Sequence, residues 1–300
     1  MDRSHLAVRP HFGPRRHVAE TRARLQALEF DHFDVTLASP CLGGEVRGVD
    51  LSKPLSPSLS KELQSALVEF KVLFFRDQDL SQEEHAAFAR NFGELEVHPF
   101  LPAGDTPEVI RFAKDEETVG AENIWHSDVS WRQEPSLGSI LRAHEVPEVG
   151  GDTLWADTEA VYEGLSDEIK AAIEGRDAIH DFVYSFGLGM NEEEREKKRI
   201  EFPPARHPMV RTHPVTNRKC LYVNSIFTSH IDGIPTEESK AILARLYQEV
   251  QIAEYQVRFR WEKNSIAFWD NRSTQHLAIS DYWPQARVME RLTIIGDRPA

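Results

Sequence analysis

Residues Gln256-Val257-Arg258-Phe259-Arg260-Trp261 alternate polar and apolar side chains without a break. A period of two puts Val257, Phe259 and Trp261 on one face and the polar residues on the other, as a half-buried strand requires. Such strands belong to antiparallel sheets, because strands of parallel sheets are covered on both faces and read as continuous apolar runs. Outward from this stretch, strand-sized runs recur at 33–37, 72–75, 109–112, 138–143, 153–155, 220–223, 265–269 and 291–295. Helical patterns fall between them at 60–70, where Leu63, Leu67 and Phe70 share a face, and at 81–92, opened by Ser81 with Glu84 three residues on. Further helices fit 157–165, 192–198 and 237–250. Many short strands with helices set between them predict a mostly β domain, a sandwich or jelly roll clad by helices. A doubly wound sheet needs strict strand–helix alternation and a glycine-rich phosphate turn, and the chain has neither.

The composition bounds the function. Of 300 residues, 40% are apolar and 28% charged, enough for a sizeable core. Thirty-five Lys and Arg against 49 Asp and Glu leave a net charge of -14, which repels a phosphate backbone and argues against general nucleic-acid binding. No apolar run approaches the ~18 residues of a membrane span. Cys41 and Cys220 lie far apart and form no CxxC pair, so two idle thiols in a reducing compartment, the cytoplasm, are expected. Residues 1–28 carry six arginines against Asp2 and Glu20, a charge of +4 against -18 for the remainder. Two prolines and two acids suit an amphipathic presequence poorly, so a flexible basic arm over 1–30 and one domain over 31–300 are expected.

Chemistry concentrates in two places. In Asn123-Ile-Trp-His126-Ser-Asp128, an extended backbone would project His126 and Asp128 from one side, able to grip one ion. The second place is Phe268-Trp-Asp-Asn-Arg-Ser-Thr-Gln-His276. His276 would complete a two-histidine, one-carboxylate face, which leaves one side of an octahedral Fe(II) open. The absence of cysteine ligands and of a His-Glu-x-x-His helix disfavours a zinc hydrolase. A non-catalytic jelly-roll protein that binds a small anion is the competing reading.

The chain resembles the TauD/TfdA family of Fe(II)- and 2-oxoglutarate-dependent dioxygenases. The likeness runs through Gly48-Val-Asp-Leu-Ser, Phe74-Phe-Arg-Asp-Gln, Phe92-Gly-Glu-Leu, Trp125-His-Ser-Asp-Val, Gly150-Gly-Asp-Thr-Leu-Trp, Trp269-Asp-Asn-Arg and Thr293-Ile-Ile-Gly-Asp. Asp128 and His276 are 148 positions apart, and Arg287 follows His276 by eleven, as the family pattern requires. The resemblance implies a double-stranded β-helix (a cupin-like jelly roll), with His126, Asp128 and His276 on the iron. It implies that Arg287 and Thr153 hold the distal carboxylate of 2-oxoglutarate, that O2 is the second cosubstrate, and that Trp269 walls the site. His98 and Arg291 fall where taurine dioxygenases bind a sulfonate, and Phe186 and Phe227 where the family places aromatic walls. Glu122 replaces the asparagine that contacts the amine end in taurine-specific enzymes, with Asn123 beside it. The implied substrate is a small organic anion hydroxylated next to a heteroatom: taurine or another alkyl sulfonate, with sulfate esters and phenoxyalkanoates as alternatives. A homo-oligomer without nucleic-acid or membrane partners is the implied assembly.

Overall fold

The computed structural model describes residues 13–101, 106–120 and 123–300. A seven-stranded sheet is built from β1 (Asp34–Leu37), β2 (Gly44–Arg47), β3 (Val72–Phe75), β4 (Ile110–Lys114), β5 (Ser136–Glu145), β13 (Ile266–Asp270) and β15 (Arg287–Ile295), in the order β1-β2-β3-β13-β5-β15-β4. A smaller sheet, β12-β6-β14, contains β6 (Thr153–Asp157), β12 (Gln256–Phe259) and β14 (Thr274–Ala278). A third sheet joins β7 (Asp177–His180), β8 (Ala205–Pro208) and β11 (Thr228–Ile231), and β9 (Val210–Thr212) pairs with β10 (Lys219–Leu221). Among the described residues every pairing is antiparallel except β2 with β3. This is the helix-clad double-stranded β-helix architecture expected from the sequence.

One strand explains the layering. Val72-Leu-Phe-Phe75 is buried at all four positions because both faces of β3 are covered. Val72 and Phe74 turn into a core shared with the small sheet, where Phe74 stacks on Phe259 at 4.1 Å and meets Trp155 at 5.4 Å. Leu73 and Phe75 turn the other way, against Leu63, Leu67 and Phe70 of α2 (Pro57–Phe70) and Phe88 of α3 (Gln82–Arg90). Each such ring pair adds about 0.5–1.5 kcal/mol beyond the area it buries. The helices stop and start where their ends are satisfied. Ser56 accepts from Leu59 N to open α2, and Ser81 with Glu84 forms the capping box of α3 that the sequence signalled.

Four more helices add to the cladding: α4 (Thr158–Gly164), α5 (Asp167–Ile173), α6 (Glu192–Glu201) and α7 (Thr236–Val250). The expected basic arm differs in its second half. Arg16–Gln26 forms a helix, α1, which buries Val18 and Leu25 and pairs Arg24 with Glu69. Residues 1–12 of that arm lie outside the described residues. Among the described residues no helix is long and apolar enough to cross a membrane.

Candidate active site

His276 lies on β14, in register with Trp155 of β6. Opposite it, His126 forms a single antiparallel bridge in which each histidine gives its N–H to the other's carbonyl, at 3.0 and 2.8 Å. Mutually bonded residues on an antiparallel pair project to the same face. The two imidazoles accordingly stand with ring centres 4.2 Å apart. The extended strand expected over 123–128 does not form. The chain bridges only at His126 and then turns through Asp128, with Val129 at φ 45°. That turn still delivers the Asp128 carboxylate to the histidines: Oδ1 lies 3.7 Å from His126 Nε2 and 3.9 Å from His276 Nε2.

The donor set fits an octahedral divalent ion. Two imidazole nitrogens and a carboxylate oxygen lie within 4.8 Å of one another, and both cysteines are elsewhere. His126 Nδ1 sits 2.8 Å from the carbonyl of Ile124, which fixes the proton there and leaves Nε2 as the ligand atom. Burial alone would raise the Asp128 carboxyl, but Arg291 first, then His276 and His126, hold it well below the usual carboxylate range. Burial, and then His126, push His276 down to about 3, so its ring is neutral and available as a ligand. The Asp128 backbone is clamped by Asn271, whose side chain accepts from Asp128 N at 2.7 Å and donates to Asp128 O at 2.9 Å. Ser139 donates to Asp128 Oδ2 at 2.8 Å. Sequence reasoning missed both supports. Asn271 stands inside the quoted Trp269-Asp-Asn-Arg motif, whereas nothing in the sequence marks Ser139.

Beside the triad is a cavity of about 100 Å3 whose wall includes His126, His276, Thr153, Trp269, Arg287 and Arg291. Trp269 packs on His276 with ring centres 4.8 Å apart. Arg287 is aimed by a glycine turn. Its Nε donates to Gly151 O at 3.0 Å, and Gly151 sits at φ 69°, where a Cβ would come within 3.1 Å of Arg287 Cδ. Thr153 Oγ1 accepts from Trp261 Nε1 at 2.9 Å, so its own hydroxyl proton remains to be donated.

Arg291 reaches the triad itself, giving Nη1 to Asp128 Oδ1 at 2.9 Å, and its Nε is buried without a hydrogen-bond partner among the described residues. His98 accepts from Phe100 N at Nδ1, which leaves a proton on Nε2, and Nε2 is likewise buried and unpartnered. Burial, and then the nearby Arg291, lower His98 to about 3, so it is a neutral donor rather than a cation. Phe186 lies 5.0 Å from His98 and 6.2 Å from Phe227, which in turn lies 6.4 Å from His126. The structure therefore brings together His98, Phe186, Phe227 and Arg291 with the triad. Asn123 is exposed, and Glu122 lies outside the described residues.

Residues 34–293 match the family described as Taurine catabolism dioxygenase TauD, TfdA family. The chain is 36% identical over 264 residues to an alkylsulfatase of Acinetobacter baylyi, covering 85% of this chain and 83% of that protein. It is 34% identical over 275 residues to an alpha-ketoglutarate-dependent sulfate ester dioxygenase of Pseudomonas putida, covering 89% and 91%. Among solved structures, a taurine dioxygenase from Burkholderia xenovorans superposes with a TM-score of 0.78 at 35% identity, covering 90% of this chain and 91% of that one.

Proposed function

The chain belongs to the Taurine catabolism dioxygenase TauD, TfdA family of 2-oxoglutarate-dependent dioxygenases, and from that premise we propose that it oxidises the carbon bearing a sulfate ester in a small alkyl sulfate. The observation that carries the reading is the His126–Asp128–His276 face opening beside a cavity walled by Arg287 and Thr153. His126, Asp128 and His276 would hold Fe(II). Arg287 and Thr153 would hold the distal carboxylate of 2-oxoglutarate through charge-assisted hydrogen bonds. Together the iron and 2-oxoglutarate supply the oxidant: O2 is consumed, 2-oxoglutarate becomes succinate and CO2, and a substrate C–H becomes C–OH.

The protein's own work is positioning and exclusion of water. The orphaned N–H groups of His98 and Arg291 supply donors for a substrate anion, and Phe186 and Phe227 form a dry wall around its organic part. Trp269 fixes the ring of His276. Hydroxylation beside a sulfate oxygen gives a hemiacetal sulfate, which expels sulfate and leaves an aldehyde. An alkyl sulfonate is the second reading, favoured by the likeness to a taurine dioxygenase structure, and its hydroxylated carbon expels sulfite instead.

The test is an aerobic incubation with Fe(II), ascorbate and 2-oxoglutarate across alkyl sulfates, alkyl sulfonates including taurine, and phenoxyacetates. Sulfate appearing in step with succinate is the expected result. Sulfite in step with succinate replaces the sulfate ester by a sulfonate. Succinate tied only to phenoxyacetate turnover rejects both.

A further inference from the structure

Ser130 stands two positions beyond Asp128, fully buried, with its hydroxyl 2.8 Å from Asn224 Nδ2 and 3.0 Å from His180 Nδ1. The amide donates to the hydroxyl oxygen. Burial holds His180 far below its ordinary range, so its ring is neutral and can accept the hydroxyl proton. His180 Nε2 faces Thr228 Oγ1 at 3.5 Å, and that oxygen accepts from Asn224 N at 2.9 Å. His207 Nε2 holds the same turn through the carbonyls of Ser130 and Arg132, at 3.0 and 2.8 Å. His180, His207 and Thr228 lie on β7, β8 and β11, so the turn that carries Asp128 rests on the third sheet.

Asn224 joins this turn to the aromatic wall. While Nδ2 holds Ser130, Oδ1 accepts from Phe227 N at 2.9 Å. Phe227 O in turn accepts from Asp181 N at 2.9 Å, at the start of the segment leading to Phe182 and Phe186. Val129 and Trp131, on either side of Ser130, pack in one apolar cluster with Phe182 and Phe227, and Phe186 packs against it. The Asn224 amide is buried and engaged at both ends, so it cannot rotate without breaking a bond to the metal-ligand turn or to the wall.

We propose that Asn224 is a positioning residue, which fixes the Phe186–Phe227 wall against the Asp128 turn and so sets which substrate C–H bond meets the oxidant. The inference rests on the placement of substrate given under the proposed function. In a coupled turnover the substrate C–H, 2-oxoglutarate and O2 become C–OH, succinate and CO2. When the C–H bond is out of reach, ascorbate supplies two electrons instead, and with two protons 2-oxoglutarate and O2 become succinate, CO2 and water. A misplaced wall is therefore read as succinate in excess of oxidised substrate.

The experiment measures succinate against sulfate with hexyl sulfate, and against sulfite with taurine, in the Fe(II)-loaded enzyme with ascorbate. Asn224→Ala and Ser130→Ala are expected to raise that ratio from about one to about two or more, with the KM for 2-oxoglutarate unchanged. The ratio does not depend on how much of a variant folds, which separates misplacement from lost stability. Ser130→Ala removes a single hydroxyl and carries the test if Asn224→Ala does not fold. The double variant is expected to match Asn224→Ala, because both substitutions cut the same tie. A ratio that stays near one in both variants, with a lowered Tm, assigns Asn224 to folding alone and overturns the proposal while leaving the dioxygenase reading intact. A KM for 2-oxoglutarate that rises in parallel, or effects that multiply in the double variant, also overturns it. Failure of the unsubstituted protein to form succinate with either substrate overturns both.

Discussion

Arg291 Nη1 donates at 2.9 Å to the same Asp128 oxygen that faces both histidines. One arginine thus touches the ligand carboxylate while its Nε stays available on another side. Arg291 and Arg287 are four residues apart on β15, so both face the cavity beside the triad at successive levels. Arg291→Ala is expected to raise the KM for an anionic substrate by about tenfold or more with little change for 2-oxoglutarate, and Arg287→Ala to do the reverse. Because Arg291 also bonds Asp128, its loss should lower kcat as well. Steady-state kinetics varying each substrate in turn separates the two, and equal effects on both substrates would refute the division.

Removing a ligand should remove the metal. His126→Ala, Asp128→Ala and His276→Ala are each expected to abolish succinate formation and to retain no stoichiometric iron after desalting. The supports behind Asp128 predict a graded effect: Ser139→Ala and Asn271→Ala should weaken metal affinity about 10–100-fold without abolishing it. Competition with a metallochromic chelator reads both sets on one scale.

A methyl group at the glycine turn tests the aim of Arg287. Gly151 holds φ 69°, and an added Cβ would crowd Arg287 Cδ and Nε at 3.1 and 3.3 Å. Gly151→Ala is therefore expected to raise the KM for 2-oxoglutarate severalfold. It should also cost about 1 kcal/mol or more of stability from the strained backbone. A normal KM with lowered stability would assign the glycine to folding alone.

Acid should destabilise the fold earlier than its carboxylates require. Burial, and then Arg142, lower His85 to about 3, and burial lowers His207 to about 4, so both rings stay neutral in the folded protein. In the unfolded chain they protonate near 6.5. Below that pH the unfolded state binds more protons, so stability, flat above pH 7, falls as pH drops from about 6.5 toward about 4. Each ring contributes at most roughly 1.4 kcal/mol per pH unit. Urea midpoints at pH 7.5, 6 and 5 are expected to decline across the last two, and His85→Leu to flatten the slope. Equal midpoints at pH 7.5 and 5 would show that these rings do not stay neutral in the fold.

What the sequence disclosed follows from which forces are local. The run Val72–Phe75 and the capping box at Ser81 are written in adjacent residues, and β3 and α3 appear where expected. β14 is not among the strands the sequence predicts, because Thr274–Ala278 follows the turn at Asp270–Ser273 and only its pairing with β6 makes it a strand. α1 was hidden for a related reason. Its residues are charged almost all round, and only Val18 and Leu25 are buried. The triad was legible as a pattern of residue types at fixed spacing. The bonds that support it, from Ser139 and Asn271 to Asp128 and from Gly151 to Arg287, depend on strand register across 11 to 143 positions, which no local pattern carries.

Cys41 and Cys220 have no exposed surface, and burial lifts the Cys220 thiol to about 12 and the Cys41 thiol higher still. A thiol that is both enclosed and protonated does not attack maleimides or disulfide dyes, whose reaction requires the thiolate. The native protein should therefore stay colourless with a chromogenic disulfide reagent and release two equivalents of dye when it opens. The rate of that release reads the opening of the sandwich directly, without an engineered label. The same enclosure leaves an oxygen-consuming fold with no thiol at its surface for peroxide to find.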